Sequence, residues 1–175
     1  MTQMKDKPLV GILMGSDSDY EVMAEAARAL KSFGVPFEMT VSSAHRSPAR
    51  TAEYARSARE RGLRVLIVGA GAAAHLAGVV AAETTLPVIG VPIDSSALKG
   101  LDALLATVQM PAGIPVATMA IGAAGARNAG ILAAQIIAGA DAELARRLGG
   151  FKEELATGVE RKAQALAERM AREGF

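Results

Sequence analysis

The sequence predicts an α/β fold: a three-layer, doubly wound parallel sheet of flavodoxin-like type, with a C-terminal helical extension. Short β-branched runs alternate with longer Ala-rich segments of helical period, the pattern of parallel strands joined by crossover helices. Aromatic residues make up 3% of the chain against 51% hydrophobic, and Gly occupies 18 positions, so the core must be built from Ala, Val, Ile, Leu and Met through close backbone packing. At 175 residues the chain suits one folded domain. Residues 1–140 are expected to form it, with 141–175 a helical tail that is part of the same domain or packs on a neighbouring subunit.

The first strand is expected at 9–14 and the first helix at 19–33, closed by Gly34 as a left-handed cap. A second strand at 37–41 leads to a helix opening at Pro48, the favoured first-turn position, with Ser47 as N-cap, and ending near 61 before Gly62. The third strand is placed at 64–68, followed by a loop of small residues and a helix at 76–84. The fourth strand, 87–91, is entered through a proline that its first position tolerates. A helix at 98–107, a strand at 116–120 and a helix at 124–137 complete the alternation. The charged, amphipathic stretch 142–172 reads as one or two terminal helices.

The 19 Lys and Arg nearly balance the 18 Asp and Glu, leaving a net charge of +1 and no field to attract nucleic acid or an anionic membrane. No Cys is present, which excludes disulfides, thiolate catalysis and cysteine metal sites and is compatible with a cytoplasmic location. The N-terminal MTQMKDK leads into too short an apolar run for a secretory leader. Residues 103–126 carry no formal charge and are long enough to span a bilayer, but Pro111, Gly113 and Pro115 would break such a helix.

In a doubly wound sheet the ligand lies beyond the carboxyl ends of the strands, so residues just after strands are the functional candidates. Three segments qualify: Gly15-Ser16-Asp17-Ser18-Asp19, Ser42-Ser43-Ala44-His45-Arg46-Ser47-Pro48, and Gly69-Ala70-Gly71-Ala72-Ala73-Ala74-His75. The first puts hydroxyls and carboxylates at a helix N-terminus, suited to a sugar phosphate or to ordinary capping. His45 supplies an imidazole, the side chain suited to both giving and taking protons near neutrality, and Arg46 can bind phosphate bidentately. His75, in an Ala-rich loop with no evident polar partner, fits a structural role as well as a functional one.

Rival readings fail on particular atoms. A phosphoacceptor receiver domain needs a carboxylate after the third strand, where this chain has Gly69-Ala70-Gly71. A dinucleotide fingerprint belongs after the first strand and needs a third small position with a suitably spaced acid. Flavin would find no aromatic in these loops to stack on.

The segments GSDSD, SAHRSP, GAGAAAHLAG, TTLPVIGVP, LDALLATVQMP and GIPVATMAIGAAGARNA, in this order across 9–138, resemble the class I N5-carboxyaminoimidazole ribonucleotide mutase family. The resemblance implies an isomerase of purine biosynthesis that moves a carboxylate from the exocyclic nitrogen of aminoimidazole ribonucleotide to a ring carbon, through released carbon dioxide and without cofactor or metal. It implies His45 as general acid–base and Ser16, Asp19 and Arg46 as substrate-binding residues, with Ser18 and Ser43 as auxiliary contacts. The loop carrying Ala70, Gly71, His75 and Leu76 corresponds to the one that closes over the imidazole and carbon dioxide.

The resemblance further implies a homo-octamer with sites near subunit boundaries, and a metabolic link to the ATP-dependent synthetase of the N-carboxylated compound. A mean hydropathy of +0.26 is compatible with apolar surface hidden between subunits. The related carboxylase, which takes free aminoimidazole ribonucleotide, tends to carry AHK where this chain has AHR. A non-catalytic nucleotide-binding protein would have little use for His45. Two departures from the family loop stand out: Ala72 replaces a Gly and Ala77 a Pro. If position 72 needs a positive φ, Ala costs on the order of 1 kcal/mol there.

Overall fold

Runs of Val, Ile and Leu bounded by Gly and Pro become the strands, and each Ala-rich segment becomes a helix. The computed structural model describes residues 7–175, so MTQMKD, weighed above as the start of a leader, lies outside the described residues. In chain order the elements are β1 (Val10–Met14), α1 (Tyr20–Ser32), β2 (Phe37–Val41), α2 (Pro48–Ser57), β3 (Val65–Gly71), α3 (Leu76–Glu83), β4 (Val88–Ile93), α4 (Leu101–Val108), β5 (Ala117–Thr118), α5 (Ala123–Ala138) and α6 (Ala142–Glu173). The sheet is wholly parallel in the order β2-β1-β3-β4-β5, which is the flavodoxin-like arrangement.

The central strands are apolar on both faces because helices cover both. Ile12, Leu13, Leu66, Ile67 and Ile89 are completely buried, each contributing roughly 1.5–3 kcal/mol. One face packs Leu13, Leu66, Val68 and Val88 with Ala55 and Ala58 at α2 and Leu76, Ala77 and Val80 of α3. On α5, Gly130 lies so close to α1 that a Cβ there would stand 2.6 Å from the Ala26 carbonyl oxygen. Small residues thus bring backbones together, as the composition predicts.

Several boundaries differ from the sequence reading. β3 runs on to Gly71 rather than stopping at 68, because Gly69, Ala70 and Gly71 pair with Val91, Pro92 and Ile93 of a correspondingly longer β4. β5 shrinks to two residues. Pro92 faces it, its carbonyl accepting from the Gly122 N–H at 2.9 Å, but it has no N–H to give in return. The α4 helix starts at Leu101 instead of 98 because Lys99 and Gly100 both have positive φ, 50° and 83°. The α2 helix gives way after Ser57 to turns ending at Gly62 (φ 97°). Gly34 has φ 68°, the left-handed value expected of it.

The chain divides into two compact units, one ending at Ile137 and the other spanning Ala138–Phe175. The second contains the single long helix α6, capped by Asp141, whose carboxylate accepts from the Leu144 N–H at 3.0 Å. The uncharged stretch 103–126 is divided among α4, a turn, β5 and the start of α5. Among the described residues no helix is long and apolar enough to cross a membrane.

At the amino end of the sheet, Glu38 of β2 accepts hydrogen bonds from the Tyr54 hydroxyl (2.6 Å) and from Arg61, whose guanidinium lies 4.5 Å above the Tyr54 ring. Burial pushes the Glu38 carboxyl up, but the Tyr54 and Arg61 hydrogen bonds and the Arg61 charge outweigh it and hold the group below its ordinary value of 4.5. A carboxylate so held stabilises the fold where it is ionised and stops doing so as the pH falls through its lowered value. Glu38→Gln should therefore cost about 1 kcal/mol at neutral pH, the discounted scale for a partly exposed pair. Urea unfolding should show that deficit in full above pH 4.5 and a diminishing one as the pH falls below it.

Candidate active site

The loop after β1 folds on itself before α1. Ser16 Oγ accepts from the Ser18 N–H at 3.4 Å while Asp19 Oδ2 accepts from the Ser16 N–H at 3.1 Å, a reciprocal capping box around the single 3-10 turn Asp17–Asp19. Capping and ligand binding, read above as alternatives, are compatible here, since the capping atoms also face a cavity. Asp19 is only 6% exposed. Burial pushes its carboxyl up, with a smaller push from Asp17, and the Ser16 N–H and Ser18 hydroxyl offset part of that rise.

The loop after β2 is anchored by Ser42, buried and hydrogen-bonded to the Thr51 hydroxyl at 2.8 Å. Ser43 Oγ accepts from the Arg46 backbone N–H (3.2 Å) and from its Nε (3.3 Å), and Arg46 Nη2 donates to the Gly15 carbonyl at 3.0 Å. Arg46 thereby ties the β1 and β2 loops together. Ser47 occupies the N-cap position of α2 as expected, but its hydroxyl makes no cap bond; it donates to the Ser43 carbonyl at 3.1 Å.

From β3 come Ala70 and Gly71, still within the strand, then 72–75 leading into α3. Ala72 has φ 50°, the left-handed region that its Cβ disfavours. His75 precedes α3, and its Nδ1 lies 2.9 Å from His45 Nε2, with the rings edge-to-face at 89°. The polar partner that the sequence did not supply for His75 is thus His45, thirty residues earlier.

A cavity of about 340 Å³ lies over these strand ends. Ser16, Ser18 and Asp19 line it from β1, Ser43, His45 and Arg46 from β2, and Ala70, Gly71 and Leu76 from β3 and the start of α3. His75 touches it through His45 rather than by lining it. Gly15, Ala44 and Ala73, from the same three segments, line it as well, and so does Ser95, which lies outside them. Ser95 follows β4, so the rule that selected the other loops would have found it had the fourth strand been expected to run to Ile93. Gln109, Met110 and Pro111 do not line this cavity.

Chemically, the cleft offers a guanidinium and four serine hydroxyls, a buried carboxyl that accepts hydrogen bonds, and an imidazole beside small apolar residues. Among the described residues no group of three or more His, Asp or Glu is arranged to hold a metal ion.

The family model described as AIR carboxylase matches residues 9–158. The chain is 55% identical over 168 residues to the N5-carboxyaminoimidazole ribonucleotide mutase of Pyrococcus horikoshii, covering 96% of this chain and 94% of that protein. It is 59% identical over 147 residues to the Bacillus subtilis protein of the same name, covering 84% and 91%. The crystal structure of Treponema denticola PurE superposes with a TM-score of 0.82 at 29% identity, covering 91% of this chain and 98% of that one.

The strain at Ala72 is open to direct measurement. Ala72→Gly should raise the unfolding free energy by roughly 0.5–1 kcal/mol, since relief of the left-handed strain exceeds the added freedom of the unfolded chain. Denaturant titration of the two proteins checks it, and a loss of stability would show that the Ala72 methyl contributes more by its contacts than it costs.

Proposed function

The chain belongs to the AIR carboxylase family, and on that premise we propose that it converts N5-carboxyaminoimidazole ribonucleotide to 4-carboxy-5-aminoimidazole ribonucleotide, an isomerisation of purine biosynthesis. The observation that carries the reading is the convergence of His45, Arg46 and the Ser16–Asp19 turn on one cavity beside an apolar Ala–Gly wall. Close identity to proteins named as mutases, over most of both chains, supports the mutase over direct carboxylation of the free imidazole.

In this mechanism Arg46, Ser18 and Ser43 hold the phosphate, and Ser16 and Asp19 bind the ribose. Arg46 is already stretched between Gly15 and Ser43, so its guanidinium is largely organised before ligand arrives. His45 protonates the carbamate nitrogen, the N–C bond breaks, and its electron pair stays on nitrogen as carbon dioxide is released. Ala70, Gly71 and Leu76 offer carbon dioxide an apolar surface without a hydrogen-bonding side chain. The ring carbon then attacks it, and the proton displaced from that carbon returns to His45, which ends the cycle as it began. His75 bonds to His45 Nε2 and fixes the orientation of the imidazole. Acid–base chemistry suffices, so no cofactor or metal is invoked.

A homo-octamer is part of the same proposal. Leu101, Leu105 and Val108 on α4 are 47–52% exposed, and Leu155, Val159, Leu166 and Met170 on α6 are 44–66% exposed, both sets at helical spacing. Such faces support association with further copies, the tail 141–175 and the 109–111 segment serving neighbouring subunits; the count of eight rests on the family resemblance. A cytoplasmic enzyme supplied by the ATP-dependent synthetase completes the reading.

The decisive assay follows 4-carboxy-5-aminoimidazole ribonucleotide from two starting points. Efficient product from the N-carboxylated compound without bicarbonate is expected; product only from the free imidazole with abundant bicarbonate would make the chain a carboxylase. His45→Asn should bind the ribonucleotide with turnover reduced by about 10²–10⁴, and unchanged turnover would remove His45 from the mechanism. Arg46→Ala should weaken binding by roughly 10–100-fold, the scale of a lost charge-assisted contact, and calorimetry reads it.

A further inference from the structure

The carboxyl end of β4 reaches the cavity through one side chain, that of Ser95, in the turn that joins Ile93 to α4. The turn is firmly built. Ser96 Oγ donates to Asp102 Oδ2 at 2.8 Å and accepts from the Leu98 N–H at 3.1 Å, while the Lys99 N–H donates to the Ser96 carbonyl at 3.1 Å. Lys99 is held at φ 50°, a conformation strained for any residue with a side chain. Gly100 follows at φ 83°, where a Cβ would stand 2.6 Å from Ile121 Cγ2 and 3.3 Å from the Asp94 Cα. Strain retained beside a ligand cleft points to a turn whose position matters for binding.

The Ser95 hydroxyl lies against the bare Cα of Gly71, where a Cβ would come within 1.9 Å of it. Within the structure that hydroxyl makes no hydrogen bond to any described residue. Among the cavity-lining residues contributed by β3, α3 and β4, namely Ala70, Gly71, Ala73, Leu76 and Ser95, it is also the one side-chain donor.

Strand order gives the donor its target. The sheet runs β2-β1-β3-β4, so a ligand whose phosphate is held at Arg46 and Ser43 after β2 extends across β1 and β3 toward β4. The His45–His75 contact places the proton carrier toward β3 as well. The group that arrives beside Gly71 and Ser95 is therefore the carboxylated end of the imidazole.

We propose that Ser95 is a binding residue of the site, donating its hydroxyl proton to the substrate carboxylate and so favouring the carboxylated ribonucleotide over the free imidazole. This rests on the reading of the cleft under Proposed function. Gly71 is then required for the space the hydroxyl occupies.

The test compares wild type with Ser95→Ala and Ser95→Cys, reading kcat and KM for the N-carboxylated ribonucleotide and calorimetric affinity for free aminoimidazole ribonucleotide, which lacks the carboxylate. Loss of a hydrogen bond to a charged group should lower kcat/KM by roughly 10–100-fold in Ser95→Ala, with affinity for the free imidazole compound unchanged. Ser95→Cys, similar in shape with a weaker donor, should fall between, and it carries the same comparison should Ser95→Ala unfold. Unchanged kcat/KM in the variants, or equal losses for both compounds, overturns the assignment of Ser95. Wild-type protein that fails to turn over the N-carboxylated compound overturns the functional reading and the role built on it together, a result distinguishable from an indifferent Ser95 in an active enzyme.

Discussion

Everything at the site depends on the two-sided pairing of β1. Its last residue, Met14, lies level with Val41 of β2 and with Gly69 of β3, so the loops after β1 and β2 leave the sheet together while β3 runs on beside them to Gly71. Because β2 lies on one side of β1 and β3 on the other, the loops diverge there and leave a crevice. Arg46 then spans it, its guanidinium on the Gly15 carbonyl and the Ser43 hydroxyl. The buried ladder is a rigid base, and the functional atoms stand on short segments anchored to it.

The loops themselves carry costs that the core offsets. Asp19 keeps a carboxyl in a nearly closed environment, and Ala72 and Lys99 occupy left-handed backbone conformations without being glycine. Each of these costs is on the order of 1 kcal/mol or more. The fully buried Ile and Leu residues of β1, β3 and β4 oppose them, together with the α2 and α3 contacts on one face and the α1–α5 approach on the other. Strain therefore sits in the loops around the cavity and stability where the strands pair.

Most of the fold could be read from the chain because its determinants are local. β-branched runs, Ala-rich helical periods, Gly34 and Pro48 each act within a few residues, and they set the order and approximate position of the elements. The strand-end rule then selected the segments that carry Ser16, Ser18, Asp19, Ser43, His45, Arg46, Ala70 and Gly71 without coordinates, and the family resemblance added Leu76; all of these line the cavity. The rule missed Ser95 because the fourth strand was expected to end at Val91 and runs on to Ile93. It left His75 ambiguous because an imidazole in an Ala-rich loop says nothing about what lies opposite.

By itself the sequence determined the order and approximate place of the elements, which residues near strand ends carry titratable or hydrogen-bonding groups, and that the sheet is parallel with helices on both faces. These follow from side-chain chemistry and short-range periodicity. Tertiary structure alone decided that β3 continues through Gly71 and β5 ends at Thr118, since strand length is set by the partner's donors and acceptors, and Pro92 withholds one. It alone set the His45–His75 contact, the left-handed φ of Ala72 and the place of Ser95 against Gly71. Each of these is a distance or an angle fixed by segments far apart in the chain, which no local pattern encodes.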